Sequence, residues 1–237
     1  MRGRLVGTVM KATVPVDAAV RRKQGGFLDG VVRQKSGLIC LVAVLAFLST
    51  CIVLQWLRTD LDWRQDPLSA YLKGPYGGWL RMAYYALSMA LMLLGAGLYR
   101  VLQPRARSAV PAFLLALAGI ALTITAMSET DLPLLDHGQE NLLHRIAALT
   151  TFLSVTLAMM VQSWRFHYDD IWRAHVALAL PLAVASFIAL WIYAYWHGLP
   201  EGLRQKTVIT MILLWLGIAA WWLRGEQVAR VSEAHPG

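Results

Sequence analysis

The densest run of side chains able to do chemistry lies between positions 128 and 145. It reads Ser128-Glu129-Thr130-Asp131-Leu132-Pro133-Leu134-Leu135-Asp136-His137-Gly138-Gln139-Glu140-Asn141-Leu142-Leu143-His144-Arg145. A helix starting near Gly138 puts Glu140 and His144 on one face at a spacing of i,i+4, with Asn141 and Arg145 on the face beside it. His137 precedes His144 by two turns. Together with His197 and Asp131, these histidines form a set that can hold zinc, which takes three or four nitrogen and carboxylate ligands in tetrahedral array. A zinc-bound water at such a site is a nucleophile near neutral pH, with Glu129 or Glu140 placed to move its proton. Ser128 would orient a substrate or its leaving group. The chain has no HExxH, and its histidine spacing matches no compact zinc motif, so a plain structural role for His144 stands beside the metal reading. A haem would need two histidines on facing helices, and His144 and His197 are the pair that could serve.

A second polar segment runs from Asp60 to Trp79. Asp66-Pro67 and Gly74-Pro75 mark turns within it. Ser69 and Tyr71 lie between those turns, with Trp63 before them and Tyr76 after. The segment reads either as an ordered lid over helix ends or as a binding surface, in which Trp63, Tyr71 and Tyr76 offer amphipathic contact area and Ser69 and Arg145 add polar contacts.

The elements that position these residues are membrane spans. The chain has 237 residues, 57% of them apolar and 15% charged, with a mean hydropathy of +0.50. An ordinary soluble domain carries roughly 25% charged residues. The apolar residues fall into six blocks, 38–57, 79–101, 109–128, 142–164, 173–195 and 207–223. A bilayer core of about 30 Å takes roughly 20 helical residues. The expected fold is therefore all-α, a polytopic six-transmembrane-helix bundle. It divides into a basic cytoplasmic tail over 1–37, a six-span domain over 38–223 and a cytoplasmic tail over 224–237. Leu28, Val31 and Val32 could support a short interfacial helix before the first span. Pro181 should bend the fifth span. The tryptophans at 56, 79, 164, 172, 191, 196, 221 and 222 fall near span ends, as an interfacial belt requires, and Trp215 is the exception within a span.

Charge sets the expected orientation. The two tails and the 2–3 and 4–5 turns hold fifteen basic and six acidic residues, against seven and eight on the other side. The positive-inside rule then puts both termini in the cytoplasm and the two polar connections outside. The net charge of +8 is a topology signal with lipid contact for the tail, and no nucleic-acid reader accompanies it. No Asp, Glu, Lys or Arg lies near the middle of a span, which counts against an ion-driven pump. Gly95, Gly97 and the Ala112–Ala116 pair suit close helix packing. Cys40 and Cys51 read as small apolar fillers.

The segment Leu68-Ser69-Ala70-Tyr71-Leu72-Lys73-Gly74-Pro75-Tyr76-Gly77-Gly78-Trp79, then Thr130-Asp131, His137-Gly138 and His144, resembles the bacterial and archaeal membrane proteins grouped as domain-of-unknown-function family 998. Glu129 stands where the family pattern has proline, and Pro133 follows the Thr-Asp element. The resemblance covers most of 38–223 and implies a six-span fold in the bacterial inner (cytoplasmic) membrane with its polar site before span two and around span four. The chain is also similar, more faintly, to Frag1/DRAM-like six-span proteins. Alkaline ceramidases, zinc hydrolases with three His, a Ser and an Asp, offer an analogy only, since they have seven spans.

Two functional classes follow. One is a membrane accessory subunit or a lipid- or partner-binding protein, contacting membrane lipids and a larger membrane protein complex through its outer polar site. The other is an outer-face, zinc-dependent lipid hydrolase or transferase, with zinc as the cofactor. A transporter ranks last, because no inverted repeat or discontinuous pair of spans is visible.

Overall fold

The computed structural model describes residues 35–128 and 137–234, apart from the side chains of 137 and 228–234. The tail helix expected near Leu28 lies outside these residues. Six long helices account for most of the rest: α1 Ser36–Leu57, α2 Gly77–Val101, α3 Ala109–Met127, α4 His137–Phe166, α5 Val176–Tyr195 and α6 Glu201–Ala234. All six contain stretches long and apolar enough to cross a membrane, so this is a multi-pass membrane protein. Helices are the expected solution, since a backbone amide in hydrocarbon has no water to bond and must pair within its own segment.

Each helix packs against the next in the chain, and α1 packs against α6. The result is a closed ring in chain order, with α2 also touching α6. The hydrophobic stretch of α2 is the most buried, at 56%, and that of α5 the least, at 22%. α5 is thus the helix most open to lipid, and it carries Pro181 inside it.

Two helices outrun the hydropathy blocks. α6 begins at Glu201 and continues to Ala234, straight through the boundary expected at 223. α4 begins five residues before the block at 142. Hydropathy registers only the part of a helix that sits in hydrocarbon. The extra turns are polar helix, supported at the start of α6 by the carbonyls of Gln65 and Arg64.

The ring is sealed where α1 meets α6. Gln227 Nε2 donates to Ser36 Oγ at 2.8 Å, and the Gly37 amide donates to Gln227 Oε1 at 3.2 Å. Gln227 thus satisfies a first-turn donor of α1 that has no partner in its own helix. A Cβ on Gly37 would stand 2.5 Å from the Arg224 nitrogen, so only glycine permits this contact. The same end holds the two short turns. Asp169, buried in the turn after α4, accepts from the Gln103 amide at 2.8 Å, from Ile171 at 3.0 Å and from Trp172 at 3.2 Å. Arg165 donates to the carbonyls of Ala106, Arg105 and Arg107. A segment that reads as a plain turn is therefore a clamp between two hairpins.

The tryptophans divide. Trp56, Trp79, Trp164, Trp196 and Trp221 are exposed, as a belt requires. Trp172 is not a belt residue: it is 1% exposed and packs against Phe166 with ring centroids 4.7 Å apart. Trp222 is half-buried and stacks on His175 at 4.0 Å. Trp215 is buried and donates to Ser163 Oγ at 3.1 Å and the Ala179 carbonyl at 3.2 Å. It ties α4, α5 and α6 together in the half of the ring nearer the turns.

The seam yields a paired expectation. Gly37→Ala should destabilise the purified protein by about 1–3 kcal/mol through overpacking. Gly225→Ala, where an added Cβ meets nothing within 4 Å, should stabilise it by about 0.5–1 kcal/mol through helix propensity. Thermal unfolding in detergent reads both, and a Gly37→Ala protein as stable as the parent would remove the seam's importance.

Candidate functional site

The end of the ring opposite the turns carries the connection 58–76, which folds as a lid. Its first half is fastened to α6. The amides of Gly202 and Leu203 donate to the carbonyls of Gln65 at 3.0 Å and Arg64 at 2.9 Å. These are first-turn donors that the helix cannot satisfy itself. A Cβ on Gly202 would collide with the Asp66 carbonyl oxygen, so glycine is what lets the lid approach. Lys206 Nζ donates to the carbonyls of Trp63 at 2.6 Å and Asp66 at 2.8 Å. The Leu68 amide donates to Gln205 Oε1 at 2.7 Å.

The second half of the lid is fastened to Arg58, at the end of α1. Arg58 is 6% exposed. It donates to the Lys73 carbonyl at 2.6 Å and to both carboxylate oxygens of Asp60, at 2.8 and 2.7 Å. The fork-to-fork hydrogen bonds hold the Asp60 carboxyl below its ordinary 3.8. Between these anchors lies a short 3-10 turn, Leu68–Leu72, which buries Leu68, Tyr71 and Leu72. The Tyr71 ring has the Arg58 guanidinium 6.0 Å from its centroid and the Lys206 ammonium at 5.4 Å. Among the described residues its hydroxyl is buried without a hydrogen-bond partner, and burial raises its pKa above 10.0. The lid ends at Tyr76, whose φ of 62° is left-handed. A non-glycine residue held there costs about 1–2 kcal/mol.

Beneath the lid is a cavity of about 70 Å³ inside the ring. Its wall is mainly apolar, including Leu87, Leu122, Val155 and Leu213, and it carries Ser69, His144 and Gln205. A larger groove of about 780 Å³ lies between α4, α5 and α6. Both spaces are lined by Ser69, His144, Ala148, Phe152 and Gln205, so they meet at a shared wall. The groove continues past Arg145, Tyr193 and Glu201, and past Ile146 and Leu149. Those two apolar side chains are each 56% exposed, which opens the groove towards lipid.

His144 is held by its neighbour on α3. Ser128 Oγ donates to the Thr125 carbonyl at 3.0 Å and lies 3.2 Å from His144 Nδ1. With the serine proton used in that way, Nδ1 carries the hydrogen and donates to Ser128. Ser128 is buried and lines neither space. It positions the imidazole and does not itself face the cavity.

Of the residues expected to do chemistry, the structure brings Ser69, Ser128, His144 and Arg145 together. Glu140 is half-buried in the first turn of α4. Trp63 and Tyr76 are exposed on the lid, and Tyr71 is inside it. His197 is exposed in the connection before α6 and lines neither space. Glu129 and Asp131 lie outside the described residues, as does the His137 side chain. Among the described residues no group of three His, Cys, Asp or Glu side chains can hold a metal ion. Gln205, Lys206 and Arg58 escape a reading of the sequence, because they look like ordinary flanking residues of a span and only the fold of the lid gives them partners. Glu201 escapes it too, and its place is on the groove wall.

Two tests address the lid. Gly202→Ala should undock it and speed trypsin cleavage after Arg64 and Lys73 by about tenfold, equivalent to about 1.4 kcal/mol of local opening. Unchanged cleavage would mean that the lid is not held at α6. The Asp60 carboxyl has a depressed pKa in the fold, so its contribution is complete above its unfolded value and is lost as pH falls below 3.8 through the folded value. Lid amides should lose hydrogen-exchange protection in that acid window, and Asp60→Asn should show the same loss at pH 6.

A family model described as "Protein of unknown function (DUF998)" matches residues 41–222. No curated protein and no solved structure matches the chain. The match takes in all of α2 to α5, the lid, and most of α1 and α6, and on that ground the chain belongs to the DUF998 family.

Proposed function

We propose that this protein is an integral membrane binding protein, acting as an accessory subunit that takes a membrane lipid into the groove between α4, α5 and α6. The observation that carries the reading is the join between that groove and the cavity under the lid. The lined space is apolar along Leu149, Phe152 and Leu190, polar at Ser69, His144 and Gln205, and open on its side. That is the outline of an amphiphile. The excess of basic residues on the tails and the two turns supports placing the lid outside and both termini in the cytoplasm, and the resemblance to bacterial membrane proteins is what suggests the inner membrane. A lipid would enter sideways from the outer leaflet. A larger membrane complex would receive or present that lipid.

Lipid copurifying with the detergent-solubilised full chain, quantified by mass spectrometry, tests this. Ala148→Trp adds an indole to the wall shared by both spaces. It should cut bound lipid about tenfold, the equivalent of about 1.4 kcal/mol, while the unfolding temperature stays within a few degrees. Equal lipid in parent and variant would sink the reading.

A second reading, a zinc-dependent lipid hydrolase, draws support from His144, a candidate ligand that faces the cavity with its ring held by Ser128. His137 stands two turns away on the same helix, about 10 Å along the axis, so a shared zinc would have to lie between those turns. Stoichiometric zinc in purified protein, lost in His144→Ala, would establish this reading. A metal-free protein with a normally folded variant would end it.

A further inference from the structure

An acyl chain gains little by leaving the bilayer for an apolar groove, because lipid tails are as apolar as the groove wall. Selectivity for a lipid must therefore come from the polar mouth. Building on the lipid-binding reading above, we propose that this mouth selects a zwitterionic phospholipid headgroup, with its phosphodiester at Arg145 and its ammonium at Glu201.

Depth supports the pairing. Arg145 and Arg165 on α4 are twenty residues apart, as are Arg204 and Arg224 on α6. Twenty residues of helix span about 30 Å, the thickness of a bilayer's hydrocarbon core. α4 and α6 both run from the lid end to the turn end. Arg145 and Arg204 therefore mark one boundary of the core, and Arg165 and Arg224 the other. Arg145 sits at the level of lipid phosphates. Glu201 lies three residues beyond Arg204, about 4.5 Å further out. In an ethanolamine or choline headgroup, four bonds of about 1.5 Å set phosphorus and nitrogen a similar distance apart.

The other cations near the groove are already engaged. Arg204 donates to the carbonyls of Leu199 and Tyr193, and Lys206 to those of Trp63 and Asp66. Arg145 and Glu201 both line the groove and are exposed. Among the described residues neither has an ion-pair partner. A guanidinium binds phosphate through two parallel hydrogen bonds. Glu201 then discriminates: a lipid with an ammonium gains an ion pair, whereas an uncharged glycerol headgroup leaves a carboxylate facing a phosphate. Ser69 and Gln205, one step further in, are placed for the ester carbonyls.

The test is competition between phosphatidylethanolamine and phosphatidylglycerol of identical acyl chains for the full chain in mild detergent, read by native mass spectrometry. The parent should retain the ethanolamine lipid over the glycerol lipid by about tenfold. Glu201→Lys should reverse that preference, and Arg145→Gln should weaken both lipids. Both positions are exposed, so an unchanged unfolding temperature confirms folded variants. A parent that binds the two lipids equally, or a Glu201→Lys variant that keeps the parent's preference, overturns the headgroup assignment and leaves the lipid-binding reading standing. A parent that holds neither lipid overturns both.

Discussion

Two hydrogen bonds decide how one end of this molecule is built. The first amides of α6 have no acceptor within their own helix, and the carbonyls of Gln65 and Arg64 supply it. Water could satisfy those amides at a membrane surface, so the lid competes with water for them. It wins because Gly202 removes the Cβ that would hold the lid away, and because Lys206 and Gln205 add three more bonds within the next turn. Once the lid is docked, Ser69 is carried to the rim of the ring, and Leu68, Tyr71 and Leu72 close over its interior. The cavity wall, the polar rim and the start of α6 all follow from that contact.

The two ends of the ring differ in kind. At the turn end, Asp169, Arg165 and Gln227 each bridge separate elements, and the tryptophans at 172 and 215 fill the space between helices. That end is tight. At the lid end, the larger groove lies between α4, α5 and α6. α5 is also the least buried helix and contains Pro181.

Much of this was legible in the chain. The six spans stand out because hydrocarbon demands long apolar blocks, and the lid's turns are announced by Asp66-Pro67 and Gly74-Pro75. The serine at 128 and histidine at 144 were visible as a polar constellation. Their mutual contact was not, because it depends on the angle at which α3 meets α4. Gln205 and Glu201 were hidden for a related reason. They sit in polar helix that hydropathy does not register, and Gln205 gains its role from a segment 137 residues away in the chain, where the Leu68 amide donates to it. Trp172 misled in the opposite direction. Its place at a span end suggests an interfacial anchor, but Asp169 caps the turn around it and folds the indole inward.

The seam between Ser36, Gly37 and Gln227 has a topological consequence. Helix order around the ring equals helix order along the chain, and the last helix returns to the first. The bundle is therefore cyclic in space although the polypeptide is linear, and the helix-on-helix order does not depend on which short turn is cut, although a cut at 102–108 would disturb the Arg165 and Asp169 clamp there. A circular permutant opened at the 102–108 turn, with α6 joined to α1 by a short flexible linker, would keep every interhelical surface. Insertion order into the membrane would change and the folded destination would not. For this architecture the identity of the first and last spans is a matter of biosynthesis rather than of structure.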